Sequence, residues 1–226
     1  IILGKGYGCD VELISGDTVP TLATMTSKGA PALAPELWPN ASKEVWDKAI
    51  ADGKVVNLGP AIAEGLVQGW YIPAFVAEEN PGLRSVRDLP KYKELFADPD
   101  TPEKGRFTSC PPGWSCEVMN ANFLKAYGLE DSFTLFSPGS GGTLDAMIAR
   151  AFTRHEPIVF YYWGPTTMMG RFDMVRLNMD PFDADKFACI GDANCANPQP
   201  TDFIVPDANK AVAGWLSGAA PNVAAY

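Results

Sequence analysis

The feature of this chain that most constrains its fold is a repeated cysteine spacing. Four of the five cysteines form two pairs, Cys110 with Cys116 and Cys189 with Cys195, and the members of each pair are six residues apart. Both pairs lie among Pro, Gly, Asn and Asp residues, which are typical of loops. Because a disulfide within either pair would close a short loop, the spacing favours two such disulfides and an oxidising compartment.

A four-thiolate zinc site is the alternative use of the same cysteines. Zinc sites place about two to four residues between neighbouring ligands, whereas five separate the members of each pair here. The spacing therefore favours disulfides over zinc. Cys9 has no partner in this pattern, and we expect either a free buried thiol or a partner outside this chain.

The composition sets the scale of the fold and argues against several partners. The 226 residues are 46% hydrophobic and 20% charged, which suffices for the core of one large domain or of two lobes. The net charge is −9 and Lys and Arg form no cluster, so nucleic acid and anionic membranes are poor partners. No apolar run approaches the roughly 18 residues of a transmembrane helix.

Alternating strand-like and helix-like segments predict an α/β fold with largely parallel sheets. The strand patterns are DVELISG, GWYIPAFVAEE (continuing as an extended crossing segment), PIVFYYW and DMVRLNMDPF. The helix patterns are TVPTLATMTSKG, SKEVWDKAIADG, SVRDLPKYKELFADPD, CEVMNANFLKAYG, GGTLDAMIARAFTRHE and DANKAVAGWLSG.

The order of these segments predicts two lobes. The first part of lobe I is residues 1–78 and lobe II is residues 79–177. Residues 178–226 return to lobe I and include a long polar loop at about 183–202. We expect a ligand cleft between two such lobes.

Residues that could carry catalysis are scarce. The single histidine, His155, lies at a predicted helix end, where a cation has a common structural role. The segment SPGSGG lacks the context of a nucleophile elbow and the Lys-Ser/Thr of a P-loop. We expect it to cap the following helix, with backbone N–H groups facing the cleft. The residues themselves therefore offer no clear catalytic motif.

The six tryptophans fall into two groups by position. Trp46 and Trp215 lie on amphipathic helix patterns and are predicted to pack in the core. Those at turns or element ends, where they could converge on a cleft, are Trp38, Trp70, Trp114 and Trp163. Converging aromatic faces suit a methylated ammonium group, at about 0.5–2 kcal/mol for each face. Scattered packing and a sugar-stacking platform are the alternatives that position alone leaves open.

Three motifs, SCPPGWSCE, IVFYYWGP and LWPN, resemble those of a known family. It is the quaternary-amine branch of the type II periplasmic binding proteins, the substrate-binding proteins of ABC importers for glycine betaine, proline betaine and choline. The resemblance runs from about Gly4 to about Trp215. It implies two α/β lobes that close on a cationic ligand, and terminal elements that this chain lacks.

The resemblance also assigns roles to residues. The box tryptophans that it implies are Trp38, Trp114 and Trp163. It implies a loop disulfide between Cys110 and Cys116, and it matches the backbone of Ser115 and Cys116 to the family's donors to a ligand oxygen. These donors are physically reasonable because the first N–H groups of a helix lack intrahelical acceptors.

Three positions depart from the family pattern and bear on the ligand. Ser42 stands where glycine betaine binders can carry a histidine that helps to hold the carboxylate, and Trp70 adds a fourth aromatic. Glu117 would repel a carboxylate ligand if it faced the cleft, or it is simply a favourable anion at a helix N-terminus. These departures shift the prediction to trimethylamine N-oxide, whose oxygen a protonated Glu117 could bind. Choline and glycine betaine remain alternatives.

The polar loop DPFDADKFACIGDANCANPQPTD has oxygen-bearing side chains at a spacing that resembles the start of a calcium loop. The candidate calcium ligands are Asp192, Asn194, Asn197 and Asp202. The glutamate of an EF-hand is missing, so a polar loop held only by its disulfide is the alternative. We expect no cofactor other than this candidate structural calcium.

Together these features predict a secreted, periplasmic or extracytoplasmic substrate-binding protein. It would capture a small methylated amine and present it to an ABC permease in the cytoplasmic membrane. The rival class is a secreted carbohydrate-binding or hydrolytic domain with tryptophan platforms. The lack of a paired-carboxylate motif counts against a glycosidase.

Overall fold

The structure, a computed structural model, describes residues 2–63 and 65–215 and contains two compact units. The first unit holds the chain up to Ala61 and again from Ala208, and the second unit is Ile62–Asp207. The units therefore group residues 62–78 and 178–207 with the middle of the chain, whereas the sequence pattern divides it after residues 78 and 177. The sequence-based lobe boundaries stay a prediction.

The described residues contain helices of three kinds. Within the described residues the α-helices are α1 Thr18–Lys28, α2 Lys43–Ala51, α3 Ala74–Glu79, α4 Ser115–Ala126, α5 Gly141–Arg154, α6 Thr167–Arg171 and α7 Ala184–Ile190. A π-helical turn covers Ile2–Gly6, and 3-10 helices cover Pro39–Ser42 and Val86–Phe96. In this part of the chain no helix has the length and apolar character needed to cross a membrane.

Four of the helix patterns in the sequence are confirmed as α1, α2, α4 and α5. Their ends carry the expected signals. Helix α1 stops at Gly29, which has a left-handed φ of 67°. Helix α5 begins after Ser140, whose hydroxyl oxygen accepts a hydrogen bond from the Thr143 N–H, as expected for a capping segment.

The strands form two separate sheets. They are β1 Leu33–Leu37, β2 Val55–Pro60, β3 Val67–Pro73, β4 Ala97–Asp98, β5 Thr101–Thr108, β6 Phe133–Phe136, β7 Val159–Gly164, β8 Met174–Arg176 and β9 Asn209–Ala213. The sheet of the first unit has the order β1-β9-β2, with both pairings antiparallel. The sheet of the second unit has the order β4-β5-β7-β3-β8, and β6 also pairs with β5.

The prediction of largely parallel sheets is wrong. In the described sheets only β5–β6 and β5–β7 are parallel pairings. These strands are linked through α4 and α5, and such crossovers allow parallel pairing. Strand β4 is separated from β5 by two residues, which permits only an antiparallel turn. Strand β3 runs antiparallel to both neighbours, β7 and β8.

The predicted strand DVELISG is also wrong, because these residues form no strand in the structure. Leu13 and Ile14 are 92% and 67% exposed. Alternation of apolar residues specifies a strand only where a neighbouring strand supplies hydrogen bonds, and no described strand pairs with this segment. Cys9 lies at the start of the same segment and is a free, exposed thiol rather than a buried one.

The predicted final helix DANKAVAGWLSG is wrong for its described residues up to Ala213. Asn209–Ala213 is a strand, β9, which lies between β1 and β2 and is buried from Ala211 to Ala213. Pairing on both edges outweighs the helix propensity of its alanines. Trp215 is 58% exposed, and its indole N–H donates to the Gly29 carbonyl oxygen (2.8 Å), so its predicted core packing is wrong as well. Residues 216–218 lie outside the described part of the chain.

Two further segments differ from expectation in detail. GWYIPAFVAEE forms β3 and then turns into α3, instead of continuing as an extended crossing segment. The long polar loop contains a short helix, α7, which begins after Asp183. The Asp183 carboxylate accepts hydrogen bonds from the backbone N–H groups of Asp185 and Lys186 and so caps the start of this helix. The polar composition of the segment on its own indicates a loop without a helix.

The core of the second unit contains a buried polar link. Trp70 is fully buried against Phe107, with 4.0 Å between their ring centroids. Its indole N–H donates to Asn120 Oδ1 (2.8 Å), and Asn120 Nδ2 donates to Ser109 Oγ (2.9 Å). Asn120 and Ser109 are themselves fully buried. The link joins β3 to α4 and to the segment that follows β5.

We expect Trp70→Phe to lower the free energy of unfolding, because it leaves the buried Asn120 oxygen without a donor. Such an unpaired group costs about 1–3 kcal/mol. Chemical denaturation followed by circular dichroism measures the change.

The matched control is Trp46→Phe in the first unit. Trp46 is 7% exposed, and its indole makes no hydrogen bond among the described residues. The Trp46→Phe substitution removes the same indole atoms without leaving a buried acceptor unpaired. Equal losses in the two variants would contradict a role for the Trp70–Asn120 hydrogen bond.

Candidate ligand-binding site

A short, stiff loop connects β5 to α4. Cys110 and Cys116 form a disulfide across it, as the sequence predicts, with their Cα atoms 6.2 Å apart. Between them, Gly113 has a left-handed φ of 83°, a conformation that glycine adopts without strain. The Trp114 N–H donates to the Pro111 carbonyl oxygen (3.3 Å), which closes the turn. The loop therefore fixes the backbone of Trp114, which is the residue immediately before α4.

Trp114 packs against Trp163 in an edge-to-face arrangement. The ring centroids are 5.0 Å apart and the planes meet at 75°. Trp163 is the first partly exposed residue after the buried run Val159–Tyr162 of β7, and Trp114 is also partly buried. We call this pair the aromatic corner. Edge-to-face packing leaves part of each ring face free of the other ring, so the corner offers two differently oriented aromatic surfaces.

The aromatic corner adjoins the start of α4. Ser115 and Cys116 are the first two residues of this helix, so its own backbone offers no acceptor to their N–H groups. Those groups carry the positive end of the helix dipole, which favours an oxygen with negative charge. Aromatic faces and backbone donors thus lie within one short stretch of the second unit.

Glu117 has a partner within the loop. The Gly113 N–H donates to Glu117 Oε2 at 2.8 Å. Glu117 lies in the first turn of α4, where its negative charge also favours the helix. This placement supports the structural role that the sequence left open beside a ligand-facing one.

Trp70 is not brought to the aromatic corner. It is fully buried in the core of the second unit, where its indole nitrogen is hydrogen-bonded to Asn120. In this position it exposes no ring face. The expectation of a fourth ligand-facing aromatic therefore lacks support from its placement.

Trp38 lies in the first unit, directly before the 3-10 helix Pro39–Ser42. Its indole N–H donates to Glu36 Oε1 (2.7 Å) and its backbone N–H donates to Thr18 Oγ1 (3.3 Å). One helical turn later, Ser42 Oγ is buried and has no hydrogen-bond partner among the described residues. A buried hydroxyl without a partner is costly, so Ser42 retains an unused hydrogen-bonding group.

Two tyrosine side chains adjoin Trp163. Tyr161 and Tyr162 precede it in β7, and the Tyr162 ring centroid is 4.6 Å from that of Trp163. Burial raises the pKa of the Tyr161 phenol. Burial, and then the hydrogen bond to Asp145, raises the pKa of the Tyr162 phenol. A phenol is already neutral at physiological pH, and these shifts keep both phenols neutral further into the alkaline range.

The candidate calcium ligands of the polar loop have partners within the protein. Asp202 forms a two-bond ion pair with the Arg176 guanidinium. Asp192 Oδ1 accepts from the Asn194 N–H (2.8 Å), and Asn197 Oδ1 accepts from Gln199 Nε2 (3.1 Å). No group of three or more His, Cys, Asp or Glu side chains that could hold a metal ion occurs in the described residues.

The second predicted disulfide, Cys189–Cys195, is present in this loop. Asn122 of α4 reaches it and donates through Nδ2 to the carbonyl oxygens of Ile190 (3.0 Å) and Asp192 (2.9 Å). Protein contacts thus connect the loop to the helix that begins at the aromatic corner.

His155 has the structural surroundings that its position at a helix end suggested. It follows α5 with a left-handed φ of 57°. Its ring stacks on Phe75 with 3.7 Å between centroids, and its Nε2 lies 3.5 Å from Glu79 Oε1.

Sequence reasoning missed three residues that support the corner. Asn120 and Ser109 anchor α4 and the disulfide loop, and a polar residue within the apolar face of CEVMNANFLKAYG was the available signal. Gly141 lies under Trp114: a Cβ there would be 3.3 Å from Cη2 and Cζ2 of the indole. The sequence pattern identified SPGSGG only as a helix cap, because no local signal reveals a contact with a distant ring.

Comparison with known proteins identifies relatives that are periplasmic betaine-binding proteins. The chain is 31% identical over 189 residues to the glycine betaine/proline betaine-binding periplasmic protein of Escherichia coli K12, an alignment that covers 77% of this chain and 54% of that protein. It is 29% identical over 133 residues to the glycine betaine-binding periplasmic protein OusX of Dickeya dadantii, covering 57% of this chain and 38% of that protein. The chain thus aligns with about half or less of the length of these relatives.

Solved structures share the fold. The glycine betaine/L-proline-binding protein of an ABC transporter from Borrelia burgdorferi has a TM-score of 0.66 and 21% identity, covering 96% of this chain and 69% of that one. A lactococcal protein in complex with glycine betaine has a TM-score of 0.66 and 20% identity, covering 96% and 71%. These likenesses confirm the α/β fold class expected from the sequence, that of the type II periplasmic binding proteins.

The family described as the substrate binding domain of the ABC-type glycine betaine transport system matches residues 1–226. That description assigns binding rather than catalysis, in line with the scarcity of catalytic residues in the sequence. Motif resemblance, fold and family match agree. The chain therefore belongs to the family of substrate-binding domains of ABC-type glycine betaine transport systems.

Proposed function

We propose that this protein captures a small methylated amine for an ABC importer and performs no chemistry on it. The observation that carries the proposal is the contact of Trp114 with Trp163 beside the first turn of α4. This combination offers aromatic faces for a methylated cation and backbone donors for an oxygen. It requires no catalytic residue.

The aromatic faces suit the cationic end of the ligand. A trimethylated nitrogen has no N–H to donate, so the negative face of an indole is its natural partner, at about 0.5–2 kcal/mol for each ring. Trp114 and Trp163 supply two such rings in the second unit. The motif resemblance supports Trp38 of the first unit as a third ring of the ligand-bound protein.

The start of α4 suits the oxygen end of the ligand. The N–H groups of Ser115 and Cys116 have no acceptor within the helix. An N-oxide, hydroxyl or carboxylate oxygen can accept from both. Trp70, which is fully buried, is left out of the proposed site.

Trimethylamine N-oxide is the ligand that we propose, with glycine betaine and choline as the competing ligands. The support comes from Ser42, whose hydroxyl is neutral and has no partner among the described residues. A compact, weakly charged oxygen fits a neutral hydroxyl better than a full carboxylate does, because a carboxylate prefers charged donors. The named relatives favour glycine betaine among the competitors, since their names specify glycine betaine or proline betaine.

The relatives also support a location and a partner. The E. coli and D. dadantii proteins are named as periplasmic, and the Borrelia protein is named as part of an ABC transporter. We propose the same setting for this chain: an extracytoplasmic compartment and an ABC permease in the cytoplasmic membrane. The two disulfides are consistent with an oxidising compartment.

Calorimetric titration of the full chain tests the ligand class. We expect binding of trimethylamine N-oxide, glycine betaine and choline, with the N-oxide tightest, and no binding of maltose, which has no cation. Binding of maltose alone would show a sugar platform instead. Tight binding of glycine betaine without the N-oxide would refute the proposed ligand while keeping the family function.

Trp114→Ala should weaken binding of every methylated amine by about 10- to 100-fold, because it removes one aromatic wall and leaves Trp163 without its neighbour. The titration is repeated with the variant. Trp215→Ala, which removes an exposed tryptophan outside the proposed site, is the control and should bind as the unmodified protein does. Full affinity in Trp114→Ala would remove this residue from the site.

Ser42→His tests how the first unit influences ligand choice. An imidazolium can donate a charge-assisted hydrogen bond to a carboxylate, worth about 1.5–3 kcal/mol. We therefore expect the affinity for glycine betaine to rise by about tenfold or more relative to choline, which has no carboxylate. A change of equal size for both ligands would show that Ser42 does not face the oxygen end.

We also propose that the polar loop is held by its disulfide, by Arg176–Asp202 and by Asn122 rather than by calcium. A ligand that binds only the folded state raises its melting temperature, so its removal lowers it. We expect EDTA to leave the melting temperature unchanged, whereas dithiothreitol, the positive control, lowers it by opening both disulfides. A decrease with EDTA that added calcium reverses would establish the metal site.

A further inference from the structure

The indole of Trp114 is held by neighbouring residues, of which Glu117 and Gly141 lie outside the proposed ligand contacts. Trp163 packs its ring against one side, the first residue of α5 lies under another, and Glu117 closes the turn that carries the ring. These supports lie on three different elements. A wall for a cation is effective only if its face is already oriented before the ligand arrives.

Glu117 acts on Gly113, the residue immediately before Trp114. Its Oε2 accepts the Gly113 N–H at 2.8 Å, and Gly113 has the left-handed backbone that turns the chain into α4. The carboxylate is anchored in the first turn of the helix, where the Glu117 N–H in turn donates to the Trp114 carbonyl oxygen (3.0 Å). The two hydrogen bonds link Glu117 to the residues on both sides of the Gly113–Trp114 peptide bond.

Gly141 leaves room for the Trp114 ring because it has no side chain. A Cβ at this position would lie 3.3 Å from two atoms of the Trp114 six-membered ring, closer than ordinary van der Waals contact. The neighbouring Gly142 has no such constraint, because a Cβ there would meet nothing nearer than Ser140 Oγ at 3.9 Å. Glycine at position 141 therefore allows the ring to rest on the start of α5.

We propose that Glu117 and Gly141 are positioning residues for Trp114, and that neither contacts the ligand. The proposal rests on the proposed role of Trp114 as a wall of the site. It assigns Glu117 to affinity in general rather than to the choice among ligands. Changes at either position should therefore weaken binding of all methylated amines by a similar factor.

The first test compares Glu117→Gln with Glu117→Ala in the full chain. The glutamine side-chain oxygen can still accept the Gly113 N–H, whereas alanine cannot. We expect Glu117→Gln to keep the dissociation constants for trimethylamine N-oxide, choline and glycine betaine within about threefold, and Glu117→Ala to raise all three by about five- to tenfold. Glu130→Ala, which removes an exposed carboxylate of the same unit, should change none.

Two results would overturn the role of Glu117. A selective effect of Glu117→Gln, with loss of the N-oxide or choline and unchanged or tighter glycine betaine, would show that the carboxylate meets the ligand. Unchanged affinities in Glu117→Ala would show that the hydrogen bond to Gly113 does not position the ring.

The second test compares Gly141→Ala with Gly142→Ala. Alanine favours helix over glycine, so neither variant should unfold α5. We expect Gly141→Ala to weaken all three amines by about three- to tenfold because the added methyl group displaces the Trp114 ring. Gly142→Ala should bind as the unmodified protein does. Equal behaviour of the two variants would refute the role of Gly141.

A measurement made without ligand tests the positioning role of Glu117 independently of the proposed ligand-binding function. Hydrogen exchange of the Gly113 amide, followed by NMR, should be slow in the unmodified protein and in Glu117→Gln but fast in Glu117→Ala. Failure of all three amines to bind the unmodified protein would refute the proposed function. Exchange of the Gly113 amide at the same rate in all variants would refute the positioning role of Glu117, whatever the ligand.

Discussion

The placement of the candidate site depends on one buried amide, that of Asn120. Its oxygen accepts from the Trp70 indole and its nitrogen donates to the Ser109 hydroxyl, so a single side chain connects β3, α4 and the segment before the disulfide loop. Ser109 is in turn attached to the end of β6, because its N–H donates to the Phe136 carbonyl oxygen (2.8 Å). A buried polar link is favourable only when its members are paired, and pairing of this kind admits few alternative arrangements. The first turn of α4 is therefore set relative to the strands before any ligand is considered.

The aromatic corner follows from that placement together with the positions of the two tryptophans, one near the end of β7 and one directly before α4. Strand β7 stays buried up to Tyr162 and brings Trp163 to its end, while the disulfide loop brings Trp114 to the start of α4. The site proposed there separates two tasks. Ring faces would hold a cation without a counter-charge, and backbone N–H groups would hold an oxygen without a basic side chain. Burial is the main cause of the raised pKa of the Tyr161 and Tyr162 phenols, which adjoin Trp163 in β7.

Local patterns predicted those parts of the fold that local interactions decide. The disulfides, helices α1, α2, α4 and α5, and the positions of Trp114 and Trp163 at element ends follow from spacing, caps and apolar periodicity. Parts that depend on distant partners could not be predicted. Segment 209–213 is a strand because β1 and β2 pair with it on both edges, although its alanines favour a helix. Trp70 has the position of a surface aromatic in the sequence, yet a hydrogen bond to a residue 50 positions away places it in the core.

The donors at the start of α4 have a consequence for how such a protein can change over evolutionary time. They are backbone groups, and every amino acid except proline presents the same N–H. Point substitutions at positions 115 and 116 thus leave the donors themselves in place, although replacing Cys116 would remove its disulfide. If these donors hold the ligand as proposed, a change of ligand preference falls to side chains elsewhere, and Ser42 is a candidate because its buried hydroxyl has no partner among the described residues. In the proposed site, the contact shared by all candidate ligands would then persist through substitution, whereas the contact that distinguishes them could change with a single residue.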